Sequence, residues 1–222
     1  MQVSLEGGEQ THNHIRGKNH FQETIIAIKN LHKQQITTLI SFTAHRGNYK
    51  EFPQVAEIGR RLKVKRIWAD RLIPQGGGAN LQIMNPQETL QFFQIMAQTK
   101  RQFQKRWFNC TEIAMHRALQ FLAGGTVYCC SAGNSLLTIQ PNGDVYPCRR
   151  MPIKVGNLFD APLFEIYKQH FLLQQLRATK ISKGCTSCCY QRHCRGGLKC
   201  LSYALNGDPF QADPGCWLKT NT

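Results

Sequence analysis

Residues 129–148 read CCSAGNSLLTIQPNGDVYPC, and residues 185–200 read CTSCCYQRHCRGGLKC. Together with Cys216 these stretches hold nine of the ten cysteines of the chain, Cys110 being the other. In the first stretch, apolar and polar residues alternate on either side of Asn142-Gly143, the dipeptide that best suits a tight hairpin. Such a hairpin would carry Cys148 back towards Cys130. In the second, Cys185 and Cys188 form a C-x2-C pair, whose two sulfurs can reach one ion or cluster from a single loop, while Cys194, Cys200 and Cys216 are placed to close the shell. Cys129 and Cys189 adjoin expected ligands and are spare.

A tail this rich in cysteine is a disulfide framework in a secreted chain and a metal site in a reducing compartment. The opening residues MQVSLEGGEQ have neither a basic nor an apolar segment of the kind that directs export. We therefore expect a cytoplasmic protein with its thiolates committed to metal. Zinc and iron–sulfur clusters both accept four thiolates, and spacing alone leaves both open.

The other bulk properties are permissive. The chain has 222 residues, a formal net charge of +15 and 41% hydrophobic residues, enough for a packed core. No apolar run approaches the roughly 18 residues of a membrane span. Basic clusters occur at Arg60-Arg61, Lys63, Lys65-Arg66, Lys100-Arg101 and Lys105-Arg106. No aromatic residues interleave with them, so a solvated basic face is expected in place of a nucleic-acid site, and part of the positive charge can offset thiolate-bound clusters.

Upstream of the cysteines, strand and helix signals alternate. Val3 and Leu5 suggest a short strand. Residues 19–33 carry Ile25, Ile28 and Leu31 at helical spacing. Residues 36–42 suggest a second strand, 49–63 a helix with Pro53 in its first turn, and 65–69 a third strand. Asn85-Pro86-Gln87-Glu88 has the form of an N-cap, an N1 proline and an N3 glutamate, opening a helix to about Trp107. This order predicts parallel βα units. Gly76-Gly77-Gly78 is expected as a flexible loop.

The cysteine pattern resembles the SPASM domain, the C-terminal module of radical S-adenosylmethionine enzymes that modify peptides and proteins. The resemblance is carried by Cys130-Ser-Ala-Gly, Pro141-Asn-Gly-Asp-Val-Tyr-Pro-Cys148, the C-x2-C-x5-C of Cys185, Cys188 and Cys194, and Asp213-Pro-Gly-Cys216. Gln2-Val-Ser-Leu-Glu-Gly, His12-Asn-His-Ile-Arg16-Gly, Phe42-Thr43 and Arg71-Leu-Ile-Pro74 are similar to the second half of the barrel in those enzymes. The resemblance implies one or two auxiliary [4Fe–4S] clusters: one on Cys185, Cys188, Cys194 and Cys216, the other on Cys130, Cys148 and Cys200 with Cys129, Cys110 or an open iron completing it. It also implies that Ser4 and Arg16 contact S-adenosylmethionine in a complete enzyme, since a guanidinium can grip a carboxylate with two hydrogen bonds.

Three positions depart from the pattern. No C-x3-C-x2-C, which in this family holds the cluster that cleaves S-adenosylmethionine, occurs in the 222 residues. The expected ligand at position 198 is Leu198, with Cys200 its substitute. Arg149 and Arg150 follow Cys148 where the sulfatase-maturing branch has an acidic residue, which disfavours that branch.

The expected architecture is thus α/β: a partial (βα) barrel over 1–108, a connecting helix over 109–125, and a cysteine-rich α+β SPASM domain over 126–222. The chain is expected to be the C-terminal portion of a longer enzyme, through a truncated reading frame, a split protein or a misplaced start. A missing N-terminal half or partner chain would then cover its first strand. The expected function is the cluster-binding portion of a peptide-modifying radical S-adenosylmethionine oxidoreductase acting on a peptide or protein substrate, without S-adenosylmethionine cleavage of its own. The alternative is a non-catalytic iron–sulfur or zinc module that binds a peptide.

Overall fold

The computed structural model describes residues 1–107, 109–178 and 180–218, which divide into two compact units, Met1–Val127 and Tyr128–Thr222. In the first unit, strands β1 (Gln2–Ser4), β2 (Leu39–Ala44), β3 (Arg66–Arg71) and β4 (Glu112–Ala114) form one sheet in chain order. Every pairing is parallel, with Val3 opposite Ile40, Ile40 opposite Ile67 and Ile67 opposite Ile113. The central strands are buried over most of their length, as expected where helices cover a parallel sheet.

Between the strands run α1 (Glu9–Arg16), α2 (His20–Lys33), α3 (Phe52–Arg61) and α4 (Pro86–Gln104). Helix α4 starts where its sequence says it should. Asn85 Oδ1 accepts the Glu88 N–H at 2.8 Å, and Glu88 Oε2 accepts the Asn85 N–H at 2.9 Å. Phe92, Phe93 and Met96 project from this helix into the core and are buried. Phe92 meets Phe52 edge-on, with ring centroids 6.0 Å apart, and lies 6.2 Å from Phe42 of β2. Helix α3 packs closely because Gly59 has no side chain: a Cβ there would fall 2.5 Å from Ile67 Cδ1.

Residues 109–125 correct the expected connecting helix. They contain β4 and a short 3-10 turn, Gln120–Ala123. The turn is bounded by Leu119 and Gly124, both left-handed, which an α-helix cannot accommodate in its interior. Gly125 then lies so close to the backbone that a Cβ would meet Met115 O at 2.5 Å. The glycine run Gly76–Gly78 likewise forms a 3-10 turn where a loop was expected.

In the second unit, β5 (Thr138–Ile139), β6 (Asp144–Tyr146) and β7 (Gly156–Asn157) form an antiparallel sheet. The expected hairpin joins β5 to β6, and Gly143 at φ +81 supplies the left-handed residue of its turn. Helices α5 (Leu163–Gln169), α6 (Phe171–Arg177), α7 (Gln191–Cys194) and α8 (Lys199–Asn206) complete the unit. Its core gathers Ala132, Val145, Met151, Ile166, Leu173 and Phe210. No helix among the described residues is long and apolar enough to cross a membrane.

Candidate iron–sulfur site and the polar end of the sheet

The parallel sheet presents polar groups at its carboxyl end, where α/β folds place ligands. Ser4 Oγ lies 3.3 Å from Ser41 Oγ, one strand over. Arg16, in the last turn of α1, donates to Oε1 of Glu6, the second residue after β1. Glu6 is buried, and its Oε2 accepts the Thr43 N–H at 2.8 Å. Its own N–H donates to His12 Nδ1 at 3.1 Å. Asn48 ties the ends of the first two strands together, donating to Glu6 O at 2.9 Å and Thr43 O at 3.0 Å. Glu6 is thus a local acceptor that anchors Arg16, whose side chain stays 45% exposed and accessible to a ligand.

Several participants were not singled out from sequence. His45, just past β2, is buried, and its Nδ1 accepts the Gly47 N–H at 3.1 Å. Its Nε2 therefore carries the hydrogen and has no partner among the described residues. Burial pushes the ring below its ordinary pKa, against the pull of Glu51. Gln120 reaches back to β3, donating to Ala69 O at 2.9 Å, while the Arg117 guanidinium covers Trp68 at 4.6 Å. Nothing in the residue pattern near 117–120 announces these roles.

In the second unit all ten-minus-one tail cysteines are thiols, as is Cys110 in the first. Three chain segments converge to carry them. A bridge pairs Lys183 with Gln211, with Lys183 N–H donating to Phe210 O at 2.7 Å and Ala212 N–H to Lys183 O at 2.9 Å. Asp213, 1% exposed, then accepts the Leu198 N–H at 2.8 Å and the Gly215 N–H at 2.9 Å. This carboxylate latches the loop bearing Cys216 onto the segment between Cys194 and Cys200. The approach requires glycine: a Cβ on Gly197 would lie 2.2 Å from Asp213 Oδ2, and one on Gly196 would lie 1.8 Å from Ser182 Oγ.

The thiols respond to this convergence. Burial pushes Cys194 up to about 12, reinforced by Asp213 and then by Cys216 and Cys185, while the Gly196 N–H pulls the other way. Cys130 and Cys194 line one narrow cleft with Lys180, Arg195 and Lys199. Cys130 and Cys148 both pack on the core of the unit, and Cys148 Sγ accepts the Arg150 N–H at 3.5 Å. Cys188 N–H donates to Cys185 O at 3.1 Å, the tight turn expected of a C-x2-C loop. Cys200 is buried at the start of α8, two residues beyond Leu198, whose backbone is held by Asp213. Cys129, Cys189 and Cys110 are exposed. Among the described residues, no three His, Cys, Asp or Glu side chains are close enough together to hold a single metal ion.

Residues 129–194 match the SPASM family, described as an iron–sulfur cluster-binding domain. Over nearly its whole length the chain is also similar to curated proteins. An AdoMet-dependent heme synthase of Methanosarcina barkeri is 24% identical, aligned over 97% of this chain and 66% of its own. The mycofactocin maturase MftC of Mycolicibacterium smegmatis is 28% identical over 97% of this chain and 56% of its own. The chain therefore spans between 56% and 66% of the length of these two relatives. Streptococcus suis SuiB bound to S-adenosylmethionine shares the fold, with a TM-score of 0.71 at 16% identity over 98% of this chain and 53% of that one. The α/β unit followed by the cysteine-rich unit thus shares the fold of SuiB.

Proposed function

We propose that the chain is the cluster-binding portion of a radical S-adenosylmethionine enzyme that modifies a peptide or protein, with its four-stranded sheet forming the second half of a partial barrel. The observation that carries this is the convergence of residues 182–185, 194–200 and 210–216 on a latch made by Asp213, with Cys185 and Cys216 each within electrostatic reach of Cys194. In this assignment Cys185, Cys188, Cys194 and Cys216 hold one [4Fe–4S] cluster. Cys130, Cys148 and Cys200, with Cys129 as the fourth donor, hold a second.

The donor set is all thiol, which zinc and a [4Fe–4S] cluster both accept, and the SPASM match over residues 129–194 supports the cluster. Tetrahedral zinc at a Zn–S distance of 2.3 Å draws its thiolates to about 3.8 Å from one another. A cluster interposes iron and sulfide between its thiolates, which then sit farther apart, and the cations Lys180, Arg195 and Lys199 line a cleft shared with one thiol of each proposed cluster, Cys194 and Cys130. Such a cluster supplies one-electron transfer, at a potential set by its ligands, hydrogen bonds and exposure. The protein contributes the Gly196 N–H that bonds Cys194 and a cleft walled on one side by the buried Leu176.

Ser4 and Arg16 are the proposed contacts to S-adenosylmethionine in a complete enzyme. Both sit at the carboxyl end of the sheet, and Arg16 is held there by Glu6. A peptide partner is supported by the maturase name of the mycobacterial relative and by SuiB, which has been seen bound to its precursor peptide SuiA. No C-x3-C-x2-C occurs in these 222 residues, so S-adenosylmethionine cleavage by this chain alone is not expected.

Anaerobic reconstitution with iron and sulfide tests the assignment. The chain should turn brown, and Cys188→Ser or Cys194→Ser should each lose about one four-iron cluster. A colourless chain that binds zinc instead, or cysteine variants with undiminished iron, would refute it, and so would 5′-deoxyadenosine formation by the reduced chain for the statement on cleavage.

A further inference from the structure

Among the described residues of the second unit, Lys199 is the one charged residue apart from Asp213 that the fold buries, with 7% of its surface exposed. It opens α8 immediately before Cys200. Its ammonium lies 4.8 Å from the centre of the Phe210 ring and 3.4 Å from Arg195 O. It lines the cleft into which Cys130 and Cys194 also project. An ammonium kept from water by an aromatic ring and bordered by thiols of both proposed clusters has little to gain for stability alone, because desolvating a charge costs several kcal/mol unless anions repay it.

We propose that Lys199 is an internal counter-cation shared by the two sulfur centres, which holds their reduction potentials up by stabilising the added electron. The inference rests on the cluster assignment above. A fixed positive charge in a medium of low dielectric favours the reduced, more negative state of a nearby cluster, and net charge and solvent exposure are among the levers that set cluster potentials. Lys180 and Arg195 line the same cleft. Lys180 is exposed, so water and salt screen it.

The test compares Lys199→Gln and Lys199→Arg with the wild type and with Lys180→Gln, all as the full chain reconstituted anaerobically. Iron content is measured together with a potentiometric titration followed by electron paramagnetic resonance. Lys199→Arg should keep both iron and midpoint. Lys199→Gln should shift the reduced-to-oxidised ratio at fixed potential at least tenfold towards oxidised, a fall of about 59 mV for a one-electron couple, or should hold less iron than Lys199→Arg. Lys180→Gln should move the midpoint less than Lys199→Gln does. A Lys199→Gln chain equal to wild type in iron and midpoint overturns the proposal. So does a Lys199→Arg chain that fails in both as badly as the glutamine variant, because charge would then not be what matters. A wild-type chain that takes up no iron refutes the cluster assignment itself, and with it this inference, whereas a wild-type chain that takes up iron beside a Lys199→Gln chain equal to it in iron and midpoint refutes the role of Lys199 alone.

Discussion

Replacing Asp213 with alanine should release the loop that carries Cys216 without unfolding the rest of the chain. Asp213 is 1% exposed and accepts two backbone N–H groups, from Leu198 at 2.8 Å and from Gly215 at 2.9 Å. Removing the carboxylate strands two buried donors, each at a cost of about 1–3 kcal/mol. Allowing for some entry of water, the local loss is about 3 kcal/mol, or roughly a hundredfold in the opening equilibrium at 1.4 kcal/mol per decade. Native-state hydrogen exchange on the reduced, metal-free chain reads this directly, since local openings are resolved amide by amide. In Asp213→Ala, the Leu198 and Gly215 amides should exchange about a hundredfold faster, while amides of the parallel sheet, such as Ile40, should keep their protection. Asp213→Asn retains one acceptor oxygen and should fall between the two. Unchanged protection at Leu198 in the alanine variant would refute the latch and remove the physical reason for grouping Cys216 with Cys194.

Two further perturbations probe the first unit. Asn85→Ala removes one arm of the capping box on α4 and should destabilise the chain by about 1 kcal/mol, seen as a lower urea midpoint, while Asn85→Asp should recover most of it. Acid should also weaken this unit. Burial is the largest influence on His12, His45 and His116, and all three titrate below the ordinary histidine value of 6.5. The folded state therefore binds fewer protons than the unfolded one, so the stabilisation is complete above about pH 6.5 and is lost as pH falls through the depressed folded values. Urea midpoints should decline between pH 7 and pH 5, and less steeply in His12→Asn, whose amide oxygen can still accept the Glu6 N–H; a flat or rising profile would contradict the assignment.

Local signals account for much of the architecture. Asn85, Pro86 and Glu88 are all within one turn, so the start of α4 is written in adjacent residues and appears in the structure where it was expected. The hairpin at Asn142-Gly143 was legible for the same reason: a left-handed glycine and the flanking alternation act over a few residues. Residues 109–125 were misjudged as a helix because β4 has only three residues and exists through pairing with β3, a contact made at a sequence distance of about 46 residues. Short strands carry little local preference, and their neighbours decide them.

The candidate site divides in the same way. Sequence by itself determined the chemistry available: thiols at spacings that suit shared metal ligation, and a SPASM pattern that the match over residues 129–194 bears out. Only the tertiary structure decided which groups surround those thiols. Asp213 becomes a latch because two glycines let three separate segments close on one another, and Lys199 becomes a buried cation because Phe210 covers it from a distant loop. Ligand spacing is a property of short stretches of chain, whereas burial and electrostatic environment are properties of what packs around them.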